Sequence, residues 1–501
     1  MAADPPPATA AAPASRNRAI GAPYRPEIDG LRAIAVLAVI LHHLSVRLLP
    51  GGYLGVDVFF VISGYVITAS LAERPAASLS DLMLGFYARR IRRLLPALLL
   101  CVLVTALLIC LVAPDPGQML GVGWRALFGF SNITLYHLAV DYFRPAISLE
   151  PFVHTWSLGV EEQFYLLFPL LVWFTGFGRG EVSGRGRLLV VFLVLGLASL
   201  LVLLHWLAVD QPAAYYLLPA RFWEIAAGAV VFLLLRPRAT LQQPVPAWGW
   251  PPLPALLALL ALLALPLPFG AVPLLACVLL TMLLLGSLRP GTAAHALLST
   301  PPLVFLGLIS YSLYLWHWSV LCLSRWSVGV TPWSALWQLP LIVLLAVLSW
   351  RCLEEPLRRR PWWPQRWQVV ATGLLLAALG AGALQGLTRY GSARLYRGDG
   401  EAGYRDPALL PPPAGALADC SAPGQAVLLL AGDSHAHHFQ QAAAALCRRQ
   451  GLGYDEAATV GAPFPPLHYT NPATGIDQES SVRYALVAEE RFNRLLLNHP
   501  S

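Results

Sequence analysis

Long apolar runs separated by short arginine-bearing stretches set the character of this chain. Runs near 31–49, 54–73, 94–113, 158–177, 188–209, 220–235, 253–267, 270–287, 302–324, 335–352 and 368–387 approach the length of a membrane span, which is about 20 residues. Several are shorter, so the expected fold is an α-helical multi-pass membrane protein of about 10–11 transmembrane helices. Segment 121–140, with Trp124, Phe128, Phe130 and Tyr136, suits a re-entrant or interfacial piece.

The polar residues between the runs alternate in charge. Taking the N-terminus as cytoplasmic, one set of loops holds Arg89/Arg90/Arg92/Arg93, Arg179/Arg185/Arg187, Arg236/Arg238, Arg289 and Arg351/Arg358/Arg359/Arg360/Arg366. The other holds only Arg47, Arg125, Arg144 and Arg325. The positive-inside rule favours that orientation. An odd number of spans then puts the region after 388 outside the membrane.

Composition agrees with the pattern. The chain is 57% hydrophobic and 12% charged, about half the charged fraction of a soluble protein. Its net charge of +7 comes from arginine alone, with no lysine in the sequence. In such a chain a basic balance speaks of topology, and no nucleic-acid-binding motif accompanies it. Residues 1–23 read as a disordered cytoplasmic tail. They lack the apolar stretch and cleavage site of a signal peptide. Cys101, Cys110, Cys277, Cys322 and Cys352 lie in or beside apolar runs and read as small buried hydrophobes. Cys420 and Cys447 could form one disulfide if their region is extracytoplasmic.

The first run carries Arg32 and, eleven positions on, His43. At about 100° per residue the two share one helical face, roughly 16 Å apart along the axis. An ionisable pair inside a membrane helix marks a functional site by default, although an arginine and a histidine reaching toward opposite interfaces would give the same spacing. The next run has Asp57 at its entrance and Ser63-Gly64 at its middle. Arg90 and Arg93, like Arg89 and Arg92, lie three apart and stay near one face. Guanidinium forks suit phosphate oxygens, and a topology anchor is the competing explanation. Glu161 and Glu162 open a later run, on the outer side in this orientation, where they could orient an imidazole, bind sugar hydroxyls or simply cap a helix.

The segment from Tyr24 through Tyr65 resembles the opening of the membrane O-acyltransferases of acyltransferase family 3. That family places an Arg-x10-His pair on its first helix, matched here by Arg32 and His43. His154-Thr155-Trp156-Ser157-Leu158-Gly159-Val160-Glu161-Glu162-Gln163-Phe164-Tyr165, Arg221-Phe222-Trp223-Glu224, the stretch Ser310 to Trp318, and Leu353-Glu354-Glu355-Pro356 are similar to further family segments. The resemblance covers about 24–360 and leaves 361–387 as an additional span. It implies an Arg-x-x-Arg pair, matched to Arg90 and Arg93, near a phosphorylated acyl donor. Acetyl-coenzyme A, or another acyl-coenzyme A, would serve as co-substrate, with no bound cofactor. Without the resemblance, His317 in its Trp-His-Trp setting reads as structural.

Residues 388–424 are rich in Gly, Pro and Ala and read as an extracytoplasmic linker. Residues 426–430 then read as a buried strand and 437–449 as a helix, the start of an α/β domain over 425–501. Between them, Gly432-Asp433-Ser434-His435 resembles the first block of SGNH hydrolases and esterases, which would make Ser434 a nucleophile. The Asp-x-x-His block that supplies that family's base is missing after Ser434. A partial SGNH-like domain with an incomplete triad is therefore expected. His435, His437 and His438 lack further ligands at useful spacing, so no metal site is expected.

The expected function is transfer of an acyl group, acetyl by preference, from a cytoplasmic coenzyme A thioester to a cell-surface polysaccharide hydroxyl. Lipopolysaccharide O-antigen, exopolysaccharide, peptidoglycan or a lipid-linked precursor are the acceptor classes, and the inner membrane is the location. A multi-pass transporter or flippase is the alternative reading. A membrane-anchored esterase is weaker, because so many spans exceed what an anchor needs.

Overall fold

The computed structural model describes residues 24–72, 74–113, 116–140, 150–235, 249–391, 395, 427–432 and 453–458. They fall in two units, 1–396 and 397–501. The first is helical among the described residues. Its helices are α1 (Pro26–Leu44), α2 (Gly55–Ala72), α3 (Leu79–Val112), α4 (Gly117–Ala126), α5 (Ser131–Val140) and α6 (Trp156–Phe174). Then follow α7 (Gly184–Val209), α8 (Gln211–Tyr216), α9 (Leu218–Leu235), α10 (Pro252–Ala264), α11 (Ala271–Ser287) and α12 (Ala293–Leu298). The series ends with α13 (Pro301–Leu308), α14 (Ser310–Trp326), α15 (Pro332–Ser349), α16 (Glu355–Arg359) and α17 (Arg366–Gly386).

A helix stands at each of the eleven apolar runs, yet among the described residues six helices are long and apolar enough to cross a membrane, or seven if α13 and α14 count as one bent span. The others differ for identifiable reasons. Helix α1 carries Glu27, Asp29 and Arg32 in its first two turns, and α6 carries Glu161 and Glu162. Helices α10 and α11 are apolar but have 13 and 17 residues. The ambiguous 121–140 region becomes α4 and α5, two short helices broken at Gly129, whose φ of 74° favours glycine.

Helix α3 starts far earlier than its apolar run. Ser78 caps it by accepting from the Asp81 N–H, and the helix then runs 34 residues. Its four arginines thus lie within the helix rather than at a loop mouth. Helix α17 packs along α3 and continues through a π-helical turn to Gly391, into the stretch expected as linker. Of the cysteines in apolar runs, four are buried, whereas Cys352 is exposed in the π-helical turn Trp350–Glu354.

Close helix approach holds the centre together. A Cβ on Gly64 of α2 would stand 1.8 Å from the Ile225 carbonyl oxygen, and one on Gly228 of α9 equally close to that of Val61. Two backbones pressed together through glycine are typical where apolar burial between helices has no water to work against. Deep in the same region Arg221 bonds Asp57 at 2.9 Å and Glu224 at 2.8 Å.

In the second unit, β1 (Val427–Gly432) pairs in parallel with β2 (Gly453–Ala458), Val427 opposite Gly453. Parallel neighbours require a crossover of a dozen residues or more, and the intervening segment has that length. Residues 1–23, the helix expected over 437–449, Ser434, and Cys420 with Cys447 lie outside the described residues.

Candidate functional site

Helix α1 places Arg32 beside a path of two adjoining cavities, and His43, eleven residues further on, beside the ring of His317. Near the Arg32 end, a cavity of about 300 Å³ is lined by Arg25, Arg32, Arg93 and Arg358, with Asp29 and Glu354 among their neighbours. A smaller cavity of about 90 Å³ lies deeper and shares Arg32, Val66, Arg93 and Tyr311 with the first. It continues past Arg90, Ser63 and Glu161 to Ser157 and Tyr314.

The two arginine pairs of α3 separate cleanly. Arg90 and Arg93 line the inner cavity, whereas Arg89 and Arg92 line neither of these two. Arg92 instead bonds the Ala88 carbonyl of its own helix at 3.2 Å. The Arg90 guanidinium lies over the rings of Phe86 and Tyr165. Arg32 keeps a 3.4 Å contact with Asp29, one turn before it.

Glu161 does not approach His43. Five residues into α6, it accepts from Ser63 Oγ at 2.7 Å and from Tyr165 Oη at 3.1 Å, at the middle of the path. Glu162 turns away from it and lines a third, largely apolar cavity with Arg90. Asp57 belongs to the buried Arg221 cluster, where it acts on packing and charge balance.

At the far end of the path Tyr314 Oη donates to the His154 carbonyl at 2.8 Å. With that proton committed, the Ser157 hydroxyl donates to Tyr314. Three imidazoles then cluster: the His317 ring centroid is 5.2 Å from that of His43 and 6.0 Å from that of His154.

The hydrogen bonds fix the tautomers. His317 Nδ1 lies 2.6 Å from the Tyr314 carbonyl and 3.2 Å from that of Leu313. Carbonyls only accept, so Nδ1 carries the proton, and in the neutral ring Nε2 must accept. His43 Nδ1, 3.0 Å from that Nε2, is then the donor. A neutral His43 therefore presents an unprotonated Nε2 as base or nucleophile, oriented by a second histidine. Trp318 packs edge-on against His43, and Arg325 holds the His43 carbonyl.

His317 is the functional candidate that sequence reasoning underrates. Only its place in a family-like segment signalled it. Glu354 belongs to another family-like segment, and the π-helical turn that ends at it delivers it to the outer cavity, where it accepts from Ser312. Ser434 lies outside the described residues. Among the described residues no cluster of three or more His, Cys, Asp or Glu side chains could hold a metal ion.

A helical bundle with an arginine-lined cavity at one end of its first helix and an oriented imidazole near the other defines a class of membrane group-transfer protein. The family described as "Acyltransferase domain" matches residues 25–353, and the chain belongs to it. It is 31% identical over 366 residues to O-acetyltransferase OatA of Staphylococcus aureus strain NCTC 8325, and equally to OatA of strain COL. Each alignment covers 67% of this chain and 58% of the relative. The chain thus spans somewhat over half the length of the curated relatives it matches. No solved structure matches.

Proposed function

We propose that the chain is a membrane O-acetyltransferase that moves an acetyl group from coenzyme A to a hydroxyl of a cell-surface polysaccharide or its lipid-linked precursor. The observation carrying this reading is the Nε2 of His43, left as a free base by the His317 hydrogen bond, on the same helix as Arg32 of the arginine-lined cavity. Membership of the acyltransferase family and the names of the relatives support it.

The chemistry assigns a job to each end. Arginines of the outer cavity neutralise the donor's phosphates. The donor is multiply charged and does not cross a bilayer core, so only its thioester arm and the phosphate nearest that arm enter the inner cavity. The acceptor oxygen attacks the thioester carbonyl while His43 Nε2 takes the hydroxyl proton. As the tetrahedral intermediate collapses, the C–S bond breaks and the thiolate recovers that proton from His43. His317 keeps the His43 ring in the required tautomer throughout.

In this reading the N-terminus and the arginine-lined cavity are cytoplasmic, the membrane is the inner one, and the region beyond 397 is extracytoplasmic. Its Ser434 block would direct or complete delivery to the glycan.

The test uses membranes containing the wild type or His43→Ala, supplied with acetyl-labelled acetyl-coenzyme A. Label should enter glycan or protein with the wild type and fall to background with H43A. A normally inserted H43A protein that transfers at the wild-type rate would refute the assignment.

A further inference from the structure

The apolar run at 302–324 is broken, not straight. Helix α13 meets α14 at Ile309 with a bend of 69°, so α14 begins at Ser310, beside the inner cavity. Ile309, its N-cap, has no side chain able to accept from the first N–H groups. Those groups lack intrahelical partners, and together they carry a partial positive charge.

Three further observations converge there. Ser310 is fully buried, its hydroxyl has no hydrogen-bond partner, and it lines the inner cavity. A buried hydroxyl left unpaired is uncommon enough to require an explanation. Arg93 also lines that cavity and makes no ion pair among the described residues. Finally, the inner cavity brings together Arg32, Arg90 and Arg93 but only one carboxylate, Glu161, which is bonded to neutral hydroxyls. With Arg32 in contact with Asp29, Arg90 and Arg93 still outnumber the single carboxylate of that cavity, and a surplus of guanidinium charge calls for an anion.

We propose that the start of α14, through the Ser310 hydroxyl and its first backbone N–H groups, forms an anion cradle with Arg93 and Arg32. The cradle holds a phosphate of the acyl donor, the one nearest its thioester arm. Discontinuous membrane helices aim N-termini at anionic substrate groups in this manner. The inference rests on the coenzyme A reading and adds to it a residue that sets donor affinity by reading phosphate oxygen. Ser310 is a binding residue and takes no part in bond making.

The experiment uses the full chain in lipid nanodiscs. Initial rates are measured for wild type, Ser310→Ala and Ser310→Thr with acetyl-coenzyme A and with S-acetyl-pantetheine, a thioester that lacks the phosphates. S310A should raise KM for acetyl-coenzyme A about tenfold with kcat within about twofold, the size expected for losing one hydrogen bond to a charged group. KM for S-acetyl-pantetheine should move less than about twofold, and S310T should restore the wild-type value. An unchanged KM for acetyl-coenzyme A, or an equal rise with both donors, overturns the cradle.

Inorganic pyrophosphate separates this proposal from the donor reading on which it rests. It should raise the unfolding temperature of wild type and S310T and leave S310A unmoved. If the wild type fails to use acetyl-coenzyme A but shows this pattern, the donor reading fails and the anion cradle stands. No pyrophosphate shift in the wild type sinks the cradle, whatever the donor.

Discussion

His43 Nδ1 stands 3.0 Å from His317 Nε2, and because two carbonyls fix the proton on His317 Nδ1, the contact has a direction. Removing His317 should therefore damage chemistry more than binding. His317→Phe keeps a ring in the site but leaves nothing to accept from His43, which can then rotate or adopt the other tautomer. We expect a fall in kcat of about a hundredfold, the usual scale for a misdirected general base. KM for the donor should stay within about threefold. A KM that rises with little change in kcat would assign His317 to the donor side.

The division within the arginine cluster of α3 gives a second expectation. Arg90 and Arg93 line the inner cavity, while Arg92 is bonded to its own helix backbone. Arg93→Ala should weaken donor use by about tenfold or more in KM, as loss of a charge-assisted contact does. Arg89→Ala and Arg92→Ala should stay within about threefold. Equal losses from all four would mean that the cluster acts as a diffuse positive field.

Much of this arrangement is legible in the sequence. The eleven-residue spacing puts Arg32 and His43 on one face because helix geometry alone decides it, and α1 obeys. The Arg90/Arg93 spacing likewise needs only one helix. His317 was not readable, since its partner is 274 residues away on another helix and no local period reports that meeting. Glu161 was misread for a related reason. Sequence places it at the entrance of an apolar run, but α6 begins at Trp156, so the carboxylate sits more than one turn inside, opposite Ser63. The break at Ile309 follows Gly307 by two residues, but a lone glycine in an apolar run need not mark a bend.

The Arg221 cluster behaves as a structural device with a measurable cost. One guanidinium serves two buried carboxylates, Asp57 and Glu224, and it also lies over the rings of Trp156, Tyr215 and Phe269. Arg221→Met would strand both acids in an apolar surround. Breaking a buried pair from one side costs on the order of 3–5 kcal/mol, so unfolding in detergent should occur at clearly lower temperature. The triple variant Arg221→Met, Asp57→Asn, Glu224→Gln removes the charges together and should recover most of that loss. A single variant as stable as wild type would show that the acids are satisfied by something other than Arg221.

Glu150, in the connection before α6, ties stability to pH near the imidazoles. Its backbone carbonyl accepts from Trp318 Nε1 at 2.8 Å, and Trp318 packs on His43. Its carboxyl is buried, with Oε1 unpartnered among the described residues. Burial pushes it up to about 7, against the opposing pull of the Phe152 N–H. Below the ordinary carboxylate range the folded and unfolded chains both hold the proton, and stability is fully present. As pH rises toward 7 the unfolded chain releases the proton while the folded one retains it. Stability therefore falls through that window, by about 3 kcal/mol for a shift of this size, and levels off above it. Glu150→Gln cannot titrate, and every other group cancels in the comparison. The gap in unfolding temperature between E150Q and wild type should widen in favour of E150Q from pH 5 to pH 8. Parallel curves across that range would place the Glu150 carboxyl in contact with water or with a partner that satisfies its charge.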